Sequence, residues 1–543
     1  MKHLPDVYES LRFLLIDLQI QLQSVIDGIR EGDKEYFDKS LTRIDYIENA
    51  HVNLLNRSFK IRTVDEQIPL QSYEHISYSL KNLSTQLETL SLQLKSCSAL
   101  KLLQKKKIFQ ALESLAKGLS LIEPAIESDK LTFAIDICQL ESRIEKACSE
   151  QIKRYQEELK SGQNSRSLMQ SILIFKDIEY LGHSLLKVGE GLLSGKLGQF
   201  IQIDRYQTLE ATLSELDLDL HATEQRINIH SMGETKSGCT ISGITSASEV
   251  EQEILAIFKE GKKEKLLEEK IGIESWHQKF PGIAPEVYSY QKQGDKAALL
   301  FEYLNGQTFD KLLRDERETL KAGLGKLFET LIDIWQTTQQ PESVAPNFMK
   351  QLRKRLNTVY RVHPDFNVKS KGLRIGETKQ LSLEDLIKHA EQIEKTLKVP
   401  KAVYIHGDFN VDNILFDPES NNLNFIDLHR SEYMDYTQDL SVLIVSFYRL
   451  KEYDPHIRQR IRLTMEAIYD FGLDYAESID DQDYKKRMAL GLARSFISST
   501  RFVLDRDHAK QMLFKGRFLL EQLITLTKKQ QKKYELPKEI FHD

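Results

Sequence analysis

The residues best suited to chemistry lie in one stretch, Tyr404-Ile-His406-Gly-Asp408-Phe-Asn-Val-Asp-Asn413-Ile-Leu-Phe, followed by Asn424-Phe-Ile-Asp427-Leu. Moving a phosphoryl group off a nucleotide demands little covalent chemistry. It needs a carboxylate facing the attacking hydroxyl and oxygen ligands that hold Mg²⁺ on the phosphates. Asp408 and Asn413 suit that division of labour, with Asp408 turned to the acceptor and Asn413 turned back to the metal. A second carboxylate, Asp427, arrives at the end of the next hairpin strand, placed to bridge metal and phosphates. The competing reading makes Asp408 and Asn413 turn formers and His406 a buried structural histidine. A chance His-Gly-Asp-x-x-x-x-Asn is rare in a chain of this size, and apolar strands frame this one.

The elements that must position these residues follow from length and pattern. At 543 residues, and roughly 150 per domain, several units are expected. Only 25 glycines and 12 prolines disfavour a turn-rich all-β protein and favour long helices. The 75 Lys+Arg against 81 Asp+Glu lack the basic footprint of a nucleic-acid binder. The four cysteines, Cys97, Cys138, Cys148 and Cys239, form no Cys-x-x-Cys pair, which fits a reducing cytoplasm. Asp6, Glu9 and Asp17 interrupt the first apolar stretch as a signal peptide would not tolerate. The longest apolar run, near 440–447, is too short to span a bilayer.

Helical periodicity marks Leu11–Ile29, a helix from Asp33 to Leu55, and further helices near 70–94, 100–121, 124–159 and 167–193, which predicts an antiparallel bundle. From about 216 the pattern alternates, and strands are expected at 226–230, 239–244, 254–259, 287–290 and 298–301. Helices return after 310, broken by a strand-rich patch at 402–426. The expected organisation is a helical bundle over 1–200, a linker over 201–216, a small strand-bearing lobe over 217–304 and a larger helical lobe over 305–543.

His406-Gly-Asp-Phe-Asn-Val-Asp-Asn-Ile-Leu-Phe-Asp417 with Phe425-Ile-Asp-Leu428 resembles the aminoglycoside phosphotransferase and choline kinase group of protein-kinase-like enzymes, over about 216–526. The resemblance implies a mostly α, multidomain chain whose second part is an α+β two-lobed kinase-like fold. It also implies ATP or a related nucleotide, Mg²⁺, and transfer of the γ-phosphate to a hydroxyl of a small molecule. Asp408, with His406 and Asn413, would be catalytic, while Asn413 and Asp427 would hold the metal. Gly233 and Gly238 in Met232-Gly-Glu-Thr-Lys-Ser-Gly-Cys-Thr-Ile-Ser are similar to the phosphate loop, though two such glycines also make an ordinary turn. Lys259 aligns with the lysine that touches the α- and β-phosphates; its rival reading is membership of the solvated cluster with Lys262, Lys263 and Lys265. Glu274 resembles the glutamate that fixes this lysine, with Glu268 and Glu269 as competitors. Backbone around Glu302, Tyr303 and Leu304 resembles the hinge that meets the adenine edge. Asp439 reads as a helix cap that the family also implies braces the catalytic loop, and Arg430 as a surface salt bridge with phosphate contact as the other reading.

The first 200 residues, with Ile174-Phe-Lys-Asp177-Ile-Glu179-Tyr-Leu-Gly-His183, resemble PhoU-like phosphate-regulation proteins. Glu179/His183 and Asp45/Asn49 keep an i,i+4 spacing but lack that family's second acidic residue, and a plain polar helix face explains them equally. The expectation is thus a cytoplasmic, ATP- and Mg²⁺-dependent kinase of a small hydroxyl compound. It would carry a PhoU-like module that regulates it, docks a protein or mediates dimerisation, with no nucleic acid and no membrane span. The alternatives are a nucleotide-binding regulator without turnover and a protein kinase. The acidic stretch Glu477–Tyr484 reads either as an attractor of cationic substrate or as a solvated loop.

Overall fold

The computed structural model describes residues 4–60, 67–97, 105–128, 130–198, 200–214, 227–234, 240–246, 254–341, 344–367, 374–375, 378–379, 381–527, 530 and 533–542. The chain divides into two compact units, Met1–Gly261 with Gln291–Leu300, and Lys262–Tyr290 with Phe301–Asp543.

The first unit carries helices α1 (Pro5–Glu31), α2 (Glu35–Leu41), α3 (Ile44–Ser58), α4 (Gln67–Ser96), α5 (Lys105–Ser120), α6 (Ile122–Glu127), α7 (Thr132–Leu159), α8 (Ser165–Leu197) and α9 (Ile203–Ser214). Helix α1 buries Leu11, Leu14, Leu15, Leu18, Leu22, Val25 and Ile26 along one face, the stripe that its periodicity requires. Gly32 ends it at φ 72°, donating its N–H to Gly28 O at 3.0 Å, a left-handed cap without Cβ strain. The helix expected across 33–55 is broken into α2 and α3. At the break Thr42 Oγ1 donates to Lys39 O at 2.8 Å, occupying a carbonyl that a continuous helix would have used. The helix expected over 124–159 is also two, because Ser128 leaves α6 in an extended conformation. Helix α8 packs on α4 and α7, and α1 on α2, α3 and α4.

Strands β1 (Ile227–Glu234), β2 (Thr240–Ser246), β3 (Ile254–Lys262), β4 (Val287–Gln293) and β5 (Lys296–Glu302) form a sheet in the order β1-β2-β3-β5-β4. The three-strand antiparallel part sets Ile241 opposite Lys259. Ile244, Ala256, Phe258, Ala298 and Leu300 belong to the same buried cluster as Val188, Tyr206 and Leu209 of the helices. Bundle and sheet therefore share one core. Helix α9, in the stretch read as a linker, reinforces it: Arg205 donates to Ser242 Oγ at 2.7 Å and pairs with Glu260 at 3.4 Å.

The second unit contains α10 (Lys263–Lys279), the short pairs β6 (Gln307–Thr308), β7 (Arg374–Ile375) and β8 (Thr378–Lys379), and helices α11 (Phe309–Leu312), α12 (Arg317–Thr338), α13 (Phe348–Val362) and α14 (Leu383–Glu394). Then come β9 (Val403–Ile405), the hairpin β10 (Ile414–Asp417) and β11 (Asn422–Phe425), β12 (Glu432–Met434), and helices α15 (Thr437–Tyr448), α16 (Pro455–Ser478), α17 (Tyr484–Ser499) and α18 (Arg506–Thr525). Strand β9 pairs with β12, and β10 lies between β11 and β6. The fold is mostly helical with small sheets, as the pattern predicts. In the acidic stretch, Asp481 is neither solvated nor turned to a substrate. With Asp435 it receives the fully buried Arg487 guanidinium, at 2.6 and 2.7 Å. Among the described residues no helix is long and apolar enough to cross a membrane.

Candidate active site

Strand β9 is buried at all three positions and delivers His406-Gly407-Asp408 at its end. Gly407 sits at φ +81°, where a Cβ would collide with the backbone oxygen of Arg430, so only glycine fits without strain. The loop is anchored by Asp439, whose Oδ2 accepts from His406 N at 2.7 Å and whose Oδ1 accepts from Gly407 N at 2.9 Å. Helix α15 begins at Thr437 with no side-chain cap from Tyr436. Asp439 therefore serves the loop rather than capping its own helix, which corrects the cap reading. Burial raises its carboxyl to about 7 against the pull of the two backbone N–H donors.

His406 is buried and its ring is committed to the loop. Nε2 donates to Ile426 O at 2.9 Å, and Nδ1 accepts from Asp408 N at 3.3 Å. These partners set the tautomer, and burial lowers its pKa. His406, expected among the catalytic residues, is a positioning residue in this geometry.

Asp408 is part-buried at the end of the braced loop. Its Oδ1 accepts from Asn410 Nδ2 and its Oδ2 from Arg430 Nη1, both at 2.8 Å. Arg430 does form a salt bridge, and its partner is the loop's central carboxylate. Asn413 Nδ2 donates to Asp408 O at 2.8 Å. A carbonyl accepts only from the N–H side of an amide, so this bond fixes the orientation of Asn413 and leaves Oδ1 as a donor oxygen for a cation. The hairpin then turns back: Ile414 pairs with Phe425, and Ile426 N donates to Asn413 O at 3.1 Å. This returns Asp427 to the side of Asn413. Asp427 has φ +62°, unusual for a residue with a Cβ and typical of functional turns. Its Oδ1 lies 3.2 Å from His429 Nδ1. The amide oxygen and carboxylate are hard donors of the kind Mg²⁺ takes alongside phosphate oxygens, so the residues fit that ion. Among the described residues no group of three or more His, Cys, Asp and Glu could hold a metal by itself.

The other candidates fall as follows. Lys259 is buried on β3. Glu274 is exposed on α10 and pairs with Lys270 at 2.5 Å; of its two competitors Glu268 is exposed and Glu269 is buried. Gly233 lies at a register shift of β1 after Ser231, and Gly238 lies outside the described residues. Glu302 N donates to Glu286 O at 2.9 Å, and Glu302 Oε2 accepts from Glu286 N at 3.0 Å. With its N–H engaged, Glu302 leaves donation at the expected hinge to Tyr303 and Leu304, which follow β5 outside any strand. In the helical bundle Glu179 pairs with Lys176 at 2.8 Å, and His183 Nδ1 lies 2.9 Å from Glu179 O.

Residues 254–470 match the model of the phosphotransferase enzyme family. The match covers less than half of the chain and includes the His406–Asp427 loop and hairpin. No curated protein sequence matches the chain. Solved structures similar to it include an aminoglycoside phosphotransferase from Streptomyces rimosus, at 20% identity over 57% of this chain and 98% of that one, with a TM-score of 0.30. A choline kinase from Cryptosporidium parvum is similar at 12% identity over 55% and 90%, with a TM-score of 0.34. An ethanolamine kinase from Plasmodium vivax is similar at 14% over 62% and 91%, also with a TM-score of 0.34.

Proposed function

We propose that the chain transfers the γ-phosphoryl group of ATP to a hydroxyl of a small molecule. What supports this reading is the braced loop: Asn413 bonded to the Asp408 carbonyl, and Ile426, the neighbour of Asp427, bonded to Asn413 O across the hairpin. Asp408 orients the acceptor hydroxyl and takes its proton at a carboxylate oxygen. Asn413 Oδ1 and the Asp427 carboxylate would hold Mg²⁺, which when bound neutralises phosphate charge as the phosphoryl group moves. By the resemblance, Lys259, Gly233 and Gly238 would serve the nucleotide phosphates and the backbone of 302–304 the base. Asp439 and His406 keep the loop in register without touching the reacting atoms.

The PhoU-like reading of the bundle makes it a regulatory or docking module, and the core it shares with the sheet supports mechanical linkage to the nucleotide-binding strands. The deciding experiment is Asp408→Ala: phosphoryl transfer should drop at least about a thousandfold while ATP affinity stays within about threefold. Asp427→Ala should instead weaken Mg-ATP binding. Transfer that survives Asp408→Ala removes the base assignment.

A further inference from the structure

The environment of Asp408 is unusually rich in arginine. Arg355 on α13, Arg449 at the C-cap of α15, and Arg494 on α17 with Arg501 in the turn Thr500–Phe502 that directly continues it, come from three separate stretches. All four feel the charge of Asp408. Two of them meet at one ring: the guanidinium carbons of Arg449 and Arg501 lie 5.6 and 4.5 Å from the centre of Phe502, while that of Arg494 lies 5.3 Å from the centre of Phe348 on α13. Arg430 completes the group through its contact with Asp408.

These arginines lack what structural arginines have. Arg487, in the same unit, is fully buried and held by two carboxylates, Asp435 and Asp481. No carboxylate among the described residues lies within ion-pair distance of Arg355, Arg449, Arg494 or Arg501, and Arg494 Nε is buried without a hydrogen-bond partner. Burial first, and then repulsion from the neighbouring arginines, pull Arg501 down to about 10 and Arg494 to about 9. Asp408, Asp412 and Asp439 act on these cations only from beyond ion-pair distance; cations crowded into a half-buried site without directly paired counter-ions are costly, and an arrangement of this kind is characteristic of a binding site whose anion comes from outside. Asp408, the carboxylate assigned to the acceptor in the reading above, is the group that Arg430 contacts directly.

We propose that the phosphoryl acceptor is itself anionic, a small hydroxyl compound that also bears a phosphate or carboxylate group, and that Arg355, Arg449 and Arg501 receive this group beside Asp408. This rests on the phosphotransferase reading above. It also excludes amino-alcohol and polyamine acceptors, whose cations would meet like charge.

The test is calorimetric binding of glycerol 3-phosphate, glucose 6-phosphate, malate, choline and streptomycin to the full chain with Mg-ADP, alongside ATP-dependent transfer to the same panel. At least one anionic probe should bind. Arg355→Gln and Arg501→Gln should each weaken it roughly ten- to hundredfold, the worth of one charge-assisted bond. Arg501→Lys should recover part of that loss, and ATP affinity should not change. Anion binding that is indifferent to both Gln variants overturns the proposal, as does a parallel loss of ATP affinity, binding of choline or streptomycin in place of the anions, or no anion binding. Arginine-dependent anion binding without any transfer would sustain this site while refuting the phosphotransferase reading.

Discussion

Asp439→Asn offers a quantitative test of the loop. The wild-type carboxylate, 2% exposed, accepts from two backbone N–H groups at 2.7 and 2.9 Å. Asparagine has the same shape but keeps only one acceptor oxygen and turns an amide N–H toward the other donor. Against the protonated acid that the native state holds below about pH 7, asparagine leaves one buried donor unsatisfied, so stability at acid pH should fall by roughly 1–3 kcal/mol. Release of Gly407 would let Asp408 drift, and a displacement of about 1 Å costs on the order of a hundredfold in kcat. The pH dependence sharpens the test. Burial holds this carboxyl at about 7 against an ordinary 3.8, so between those values the native state keeps a proton that the unfolded chain has released. The stabilisation from Asp439 is then present at acid pH and lost as pH rises through about 7. At ~1.4 kcal/mol per pH unit this amounts to at most ~4 kcal/mol. Loop anchoring needs the ionised form, so kcat should rise over the same interval in which stability declines. Urea denaturation and steady-state turnover from pH 5 to 8.5, as wild type minus variant, measure both. Equal denaturation midpoints and superimposable pH–rate profiles would refute the brace.

Three further outcomes follow from the same unit. Gly407→Ala, at φ +81° and facing the Arg430 carbonyl, should cost about 1–3 kcal/mol in strain and lower single-turnover rates at least tenfold while ADP affinity is retained; wild-type turnover would mean that the loop tolerates displacement. Arg487→Met strands the carboxylates of Asp435 and Asp481 and should destabilise by about 3–5 kcal/mol, read as a lower denaturation midpoint; an unchanged midpoint would show the network to be dispensable. Glu394 accepts from Phe348 N at 2.6 Å and Met349 N at 3.3 Å at the start of α13, and burial raises it to about 7. Glu394→Ala should cost ~1–2 kcal/mol, with Glu394→Gln costing less because its amide oxygen still accepts. Since the folded value exceeds the ordinary 4.5, the Glu394 contribution is lost as pH rises through about 7, and in the Gln variant that slope in thermal melts should vanish.

The loop chemistry was legible because it is local. Asp408 and Asn413 lie within one turn of chain, and alternation around 402–426 implied the hairpin that returns Asp427. Helix existence was legible for the same reason, since a stripe such as Leu11 to Ile29 encodes its own buried face. The breaks at Thr42 and Ser128 were not, because a single side-chain bond to a carbonyl or one extended residue interrupts a helix without disturbing its periodicity.

Residue order alone specifies the identity and succession of the groups suited to phosphoryl chemistry, together with the helical and strand segments that carry them. Which of those groups meet depends on how the segments pack. Nothing in the local pattern distinguishes Glu274 from Glu269, yet one is exposed on Lys270 and the other buried. Nothing near Asp408 in sequence announces Arg355 or Arg501. Helix packing sets these distant cations around one carboxylate, and electrostatic energy depends on distance in space, not on separation along the chain.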